Sequence, residues 1–137
     1  DAQESRGLGD VYKRQGHRRP LGVGAGSLAL LAFLPNDDIE RVLARYDASA
    51  APDLPSTAML REDIAAARKH GYALNPGRII PDMLGVGVPV FDRAQHVVAA
   101  LSVAAIRSRL SGARLQEVVA SLQRAATELA AELAPRA

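Results

Sequence analysis

GVGVPVFDRAQHVVAALSVAA, residues 85–105, holds two apolar runs separated by a short polar segment. Val86, Val88, Val90 and Phe91 precede Asp92-Arg93-Ala94-Gln95, and Val97, Val98, Leu101 and Val103 follow it. β-Branched side chains suit a pleated surface, so the spacing predicts two buried strands joined by a polar turn. Alternation along a strand puts Val88 and Val90 on one face and Gly85, Gly87 and Pro89 on the other. A face without bulk invites close approach, either by a helix or by a ligand. Pro89 has no N–H to donate to a ladder, which predicts an edge strand or a bulge at that point.

On the C-terminal side, Leu115, Val118, Val119, Leu122, Ala126, Leu129 and Leu133 recur at steps of three and four. That is the stripe of a long amphipathic helix, expected to lie on the sheet with Ser111 as its N-cap. Toward the N-terminus, Gly71–Leu74 reads as a short strand and Asn75-Pro76-Gly77 as a turn. Before them, Leu60, Ile64 and Ala67 form the stripe of a helix capped by Ser56 or Thr57 and ended by Gly71. Arg61, Glu62, Arg68 and Lys69 are its expected solvated face. Ile39, Val42, Leu43 and Tyr46 give a further helix, with Asn36 as cap and Asp37 and Asp38 in the first turn, where negative charge suits the dipole. Three helices, three strands and a last helix make an α+β layer of helices on an antiparallel sheet. Three strands are few against the usual five or six, so part of the sheet is expected to lie outside this chain.

Ahead of the apolar run Leu28–Leu34 stands Pro20-Leu21-Gly22-Val23-Gly24-Ala25-Gly26-Ser27. Alternate glycines allow unusual backbone angles, and a helix starting at Gly26 or Ser27 would present unpaired N–H groups. The loop suits close backbone packing or an anion cradle alike. It is no nucleotide motif, since no Lys-Ser/Thr follows and the spacing is Gly-x-Gly-x-Gly.

The chain of 137 residues is 48% hydrophobic and 23% charged, the make-up of one globular domain. It contains no cysteine, which excludes disulfides, thiolate metal sites and cysteine nucleophiles. Its apolar tracts are too short to cross a bilayer, and a cytoplasmic location is expected. Residues 1–20 carry five basic and three acidic side chains, so the net charge of +2 resides there, and the twelve basic and twelve acidic residues that follow cancel. No basic face remains to track a phosphate backbone, so direct contact with DNA is not expected from this segment. The run GLGDVYKRQ resembles translated sequencing-adapter DNA, and residues 1–15 are set aside as an expected non-native or disordered leader to a unit spanning residues 16–137.

Three blocks in order, PLGVGAGSLALLAFLP, LREDIAAARKHGYAL and GVPVFDRAQHVVAALSVAAIRSRL, followed by the amphipathic helix, resemble the C-terminal effector-binding domain of IclR-family bacterial transcription regulators. The resemblance implies a GAF-like antiparallel sheet that binds a small organic acid or aromatic metabolite. It also implies a homodimer or tetramer, and DNA contact only through an N-terminal winged helix-turn-helix domain and linker absent here, together with the first strands of the effector domain. It further implies a ligand site: Gly24, Ala25 and Gly26 as backbone donors to a carboxylate, Asn75 at a position commonly acidic, Gly85 where Cys is frequent, and Ser102 as a pocket hydroxyl. Ala104 stands where a second serine is common. These departures make the implied pocket less polar than usual. A hydroxyl satisfied by neighbouring backbone remains the other reading of Ser102.

Two other functions compete. An enzyme needs a positioned base or nucleophile, and His17, His70 and His96 are scattered with no metal-ligand spacing, so no catalytic residue, metal or cofactor is assigned. Asp82 and Asp92 read as turn formers. A pure interaction module would pair the Ile39–Tyr46 and Leu115–Leu133 faces with another subunit, without a ligand.

Overall fold

A computed structural model describes residues 21–52, 54–77 and 81–133. The expected leader, residues 1–15, lies outside them. Helix α1 (Ala25–Ala32) is followed by α2 (Asn36–Arg45), α3 (Thr57–His70), strands β1 (Ala73–Pro76), β2 (Met83–Phe91) and β3 (Val97–Ile106), and the long α4 (Gly112–Leu133). The sheet is antiparallel in the order β1-β2-β3.

The hairpin forms where its sequence predicts it, but only β2 is buried; no residue of β3 is, because its outer edge has no strand partner among the described residues. Asp92 closes the turn: its carboxylate accepts from the backbone N–H of Ala94 and of His96, both at 2.9 Å. Val86, Val88 and Val90 are almost fully buried. They meet α4 through Val119, Leu122 and Ala126, so the amphipathic helix lies on the sheet. Its stripe ends early, however, because Leu133 is 55% exposed in the last turn. The opposite face of β2 is covered by α1, whose Leu28, Ala29, Leu31 and Ala32 join Ile39, Leu43, Leu60, Ile64 and Ala67 in a second core. The apolar faces of α2 and α3 are therefore consumed within the chain.

Several expectations shift by a residue or an element. β2 is the central strand and not an edge. Pro89 is tolerated because β1 reaches only as far as Gly87, so its missing N–H falls beyond the β1 ladder, next to an irregularity at Val90/Phe91. The first short strand is Ala73–Pro76 rather than Gly71–Leu74, since Gly71 takes a left-handed φ of 85° to end α3, and the turn falls to Gly77 at φ 79°. Ser56 caps α3, its hydroxyl accepting from Met59 N at 3.1 Å.

Pro35, not Asn36, occupies the cap position of α2. The Asn36 side-chain oxygen instead accepts from Arg68, and Arg68 also donates to the carbonyls of Ala32 and Leu34. Arg68 thus satisfies carbonyl groups at the end of α1 and is more than a solvated side chain. Helix α1 itself starts at Ala25, earlier than Gly26 or Ser27. Ser27 faces back, its hydroxyl accepting from Gly22 N at 2.8 Å.

Candidate functional site

The bare face of β2 is where α1 comes closest. A Cβ placed on Gly87 would stand 2.3 Å from the Ala25 carbonyl oxygen, so only glycine admits the helix there. Gly85, two residues back on the same face, is looser. A Cβ there would lie 3.1 Å from the Ala25 Cβ and 3.5 Å from the Asn75 Cβ. Close packing at Gly87 thus opens into a gap at Gly85.

That gap is a cavity of about 200 Å³ bounded by Gly24, Ala25, Asn75, Gly85, Ser102 and Ala104, and by Gly77, Met83 and Val103. Register brings the sheet residues together: Asn75 pairs with Gly85, Gly85 with Ala104 and Gly87 with Ser102. The start of α1 overhangs them. Gly24 holds φ 97° at the cap position, with no side chain capping the helix, and Leu28 N closes the first turn on Gly24 O at 2.8 Å. The N–H groups of the first turn lack intrahelical acceptors and give this end of the helix a partial positive charge.

All six residues assigned from the sequence therefore meet at one place. Five line the cavity directly, while Gly26 sits just behind, where a Cβ would be 3.1 Å from Ser102 Oγ. Ser102 and Ala104 are exposed. The cavity opens along β3, whose outer edge has no strand partner among the described residues. The competing reading of the glycine loop holds for Gly22, where a Cβ would strike Leu31 Cδ2 at 2.7 Å.

Gly77, Met83 and Val103 also line the cavity without having been assigned to it from the sequence, although Met83 shares a face with Gly85 by strand alternation and was legible in that sense. Among the described residues, no group of three or more His, Asp or Glu side chains is placed to hold a metal, and no helix is long and apolar enough to cross a membrane. The lining carries no carboxylate among the described residues. An anion would meet donors there without a like charge in the wall.

Residues 4–131 match the family model described as the C-terminal region of bacterial transcriptional regulator IclR. The chain belongs to the IclR family. The match begins within the stretch set aside as a leader. The HTH-type transcriptional regulator KdgR of Escherichia coli K12 is 34% identical over 125 residues, covering 90% of this chain and 48% of that protein. The crystal structure of the C-terminal domain of E. coli KdgR superposes with a TM-score of 0.73 at 33% identity, covering 85% of this chain and 73% of that one. An IclR homolog from Microbacterium hydrocarbonoxydans, solved in complex with 4-hydroxybenzoate, gives a TM-score of 0.68 at 27% identity over 85% of this chain and 47% of that one. The chain spans about half the length of the curated relatives it matches. Those IclR-family relatives are transcriptional regulators, and the α+β fold with its long last helix is theirs as well.

Proposed function

We propose that this IclR-family chain is the effector-sensing part of a bacterial transcription regulator, and that its cavity takes a small organic acid or aromatic metabolite. The observation that carries this reading is the convergence of the α1 N-terminus and the Ser102 hydroxyl on one otherwise largely apolar gap of about 200 Å³. Helix N-termini suit carboxylates, and a volume under the ~300 Å³ of the smallest drug-sized pockets suits a small metabolite. Gly24, Ala25 and Gly26 supply backbone donors, Asn75 and Ser102 supply side-chain polar groups, and Gly85 keeps the floor open. The 4-hydroxybenzoate complex of a homolog supports the same ligand class.

Control of DNA passes to a winged helix-turn-helix domain elsewhere in the protein. The assembly is a homodimer or tetramer in the cytoplasm, with no catalytic step of its own. Pairing between subunits falls less well on the α2 and α4 stripes, because Ile39, Leu43, Val119 and Ala126 are already buried within the chain. It falls better on β3, where Val98 is 50% and Ile106 is 49% exposed.

A thermal-shift screen of small aromatic and aliphatic acids against the gene product tests the reading. A ligand at one hundred times its Kd stabilises the folded state by about 2.7 kcal/mol, which is readily measured. A screen with no stabilising acid would overturn the sensor function and leave the interaction module standing.

A further inference from the structure

Helix α1 carries one wall of the cavity, because Gly24 and Ala25 border it while Gly26 stands against Ser102. Whatever fixes α1 over the sheet therefore helps to set the width of the gap. The stripe that meets the sheet at Ala25 continues through Ala29 and Ala32, and all three are buried. Alanine side chains offer few ridges to interlock, and apolar burial is non-directional. This contact holds the helix down without setting its position along its own axis.

The far end of α1 is held differently. The last carbonyls of a helix lack donors within the helix. Arg68 of α3 donates through Nε to Ala32 O and through Nη2 to Leu34 O, while its Nη1 donates to Asn36 Oδ1 at 3.0 Å. One planar guanidinium thus joins the end of α1 to the start of α2 and places its charge at the negative end of the α1 dipole. The helix that bears it is itself anchored, since Leu60, Ile64 and Ala67 are buried in the core that α1 shares. Hydrogen bonds are directional where the alanine contact is not. The eight residues of α1 span about 12 Å, so a shift at the Arg68 end is carried to the cavity end.

We propose that Arg68 is a positioning residue of the cavity: by holding the last carbonyls of α1, it sets how far the start of that helix overhangs Gly85 and Ser102, and so the width of the gap. Arg68 acts through α1 and not by contact with a ligand. Its effect on binding rests on the acid-sensing reading, whereas its effect on α1 does not.

The chain has no cysteine, so one engineered pair serves as a ruler. A Cβ on Gly26 would stand 3.4 Å from the Ser102 Cβ, close to the ~3.8 Å span of a disulfide. Gly26→Cys/Ser102→Cys is expected to close readily in a glutathione buffer. Adding Arg68→Ala should lower the equilibrium constant for closure about tenfold, and Arg68→Lys, which keeps the charge without the fork, about threefold. Val88→Ala, on the α4 face, should leave closure unchanged, which separates a shift of α1 from general loosening. Closure that is as favourable without Arg68 as with it, or that Val88→Ala weakens equally, overturns the proposal. Should Arg68→Ala fail to fold, Arg68→Lys decides in its place. In a second arm, 4-hydroxybenzoate is titrated by calorimetry into proteins that keep Gly26 and Ser102. Arg68→Ala should bind it about fivefold more weakly, and Val88→Ala as tightly as the unaltered protein. Undiminished affinity of Arg68→Ala, beside a weakened disulfide, overturns the link between Arg68 and the gap. Binding to none of these proteins counts against the acid-sensing reading, and the disulfide alone then decides on Arg68.

Discussion

The two faces of β2 use opposite means. On one, Leu84, Val86, Val88 and Val90 project bulk into α4 and are buried almost completely. On the other, Gly85 and Gly87 remove bulk so that the start of α1 can touch the strand backbone. A face filled by volume is a core, and each buried side chain contributes about 1.5–3 kcal/mol. A face emptied of volume contributes little by area. What it supplies is the approach of a helix terminus and, beside it, a gap that bulk would have closed.

Gly87→Val attacks this contrast where it is sharpest. With the Ala25 carbonyl 2.3 Å from the Cβ position, α1 must leave the sheet, and a loss of about 3 kcal/mol or more is expected in chemical denaturation. A stable Gly87→Val protein would mean that α1 does not pack there. On the other face Val88→Ala should cost about 2 kcal/mol and leave acid binding unchanged, since its side chain points to α4. Gly85→Ala divides stability from binding. Its Cβ meets the Ala25 and Asn75 Cβ atoms at 3.1 and 3.5 Å and the Ala25 backbone N only at 4.0 Å, so about 1 kcal/mol or less of stability is at stake, whereas acid affinity should fall tenfold or more.

The smallest effect is expected far from both faces, at the exposed Arg61–Glu40 pair joining α3 to α2 at 2.8 Å. The hydrogen bond from Arg61 holds the Glu40 carboxyl below its ordinary range. A lowered carboxyl stabilises the fold above its unfolded value, and that contribution is lost as pH falls through the folded value. Glu40→Gln should therefore differ from the unaltered protein only above the glutamate range. Even there the melting point should move by little more than the error of the measurement, because exposed pairs contribute little.

Much of this contrast was legible beforehand. Period-two valines and the glycines between them specify a two-sided strand, and the three- and four-residue steps of Leu115–Leu129 specify the helix that covers one side. What remained illegible depended on partners distant in sequence. Asn36 looks like a cap until Arg68, thirty-two residues on, claims its side chain. Pro89 looks like an edge marker because nothing in its neighbourhood says where β1 will stop. The glycine loop allowed packing and ligand approach equally, and its glycines divide by position: Gly22 packs close to Leu31, while Gly24 borders the cavity.

The most direct measurement of the central claim, that the emptied face is the sensing surface, is a thermal shift with and without a saturating acid on the unaltered protein and on Ser102→Leu. Ser102 is exposed at the mouth of the cavity, so leucine should fill the gap without unfolding the sheet. The account predicts a clear acid-induced rise for the unaltered protein and none for Ser102→Leu at a similar unliganded melting point. An undiminished rise in Ser102→Leu would place the ligand elsewhere and contradict it.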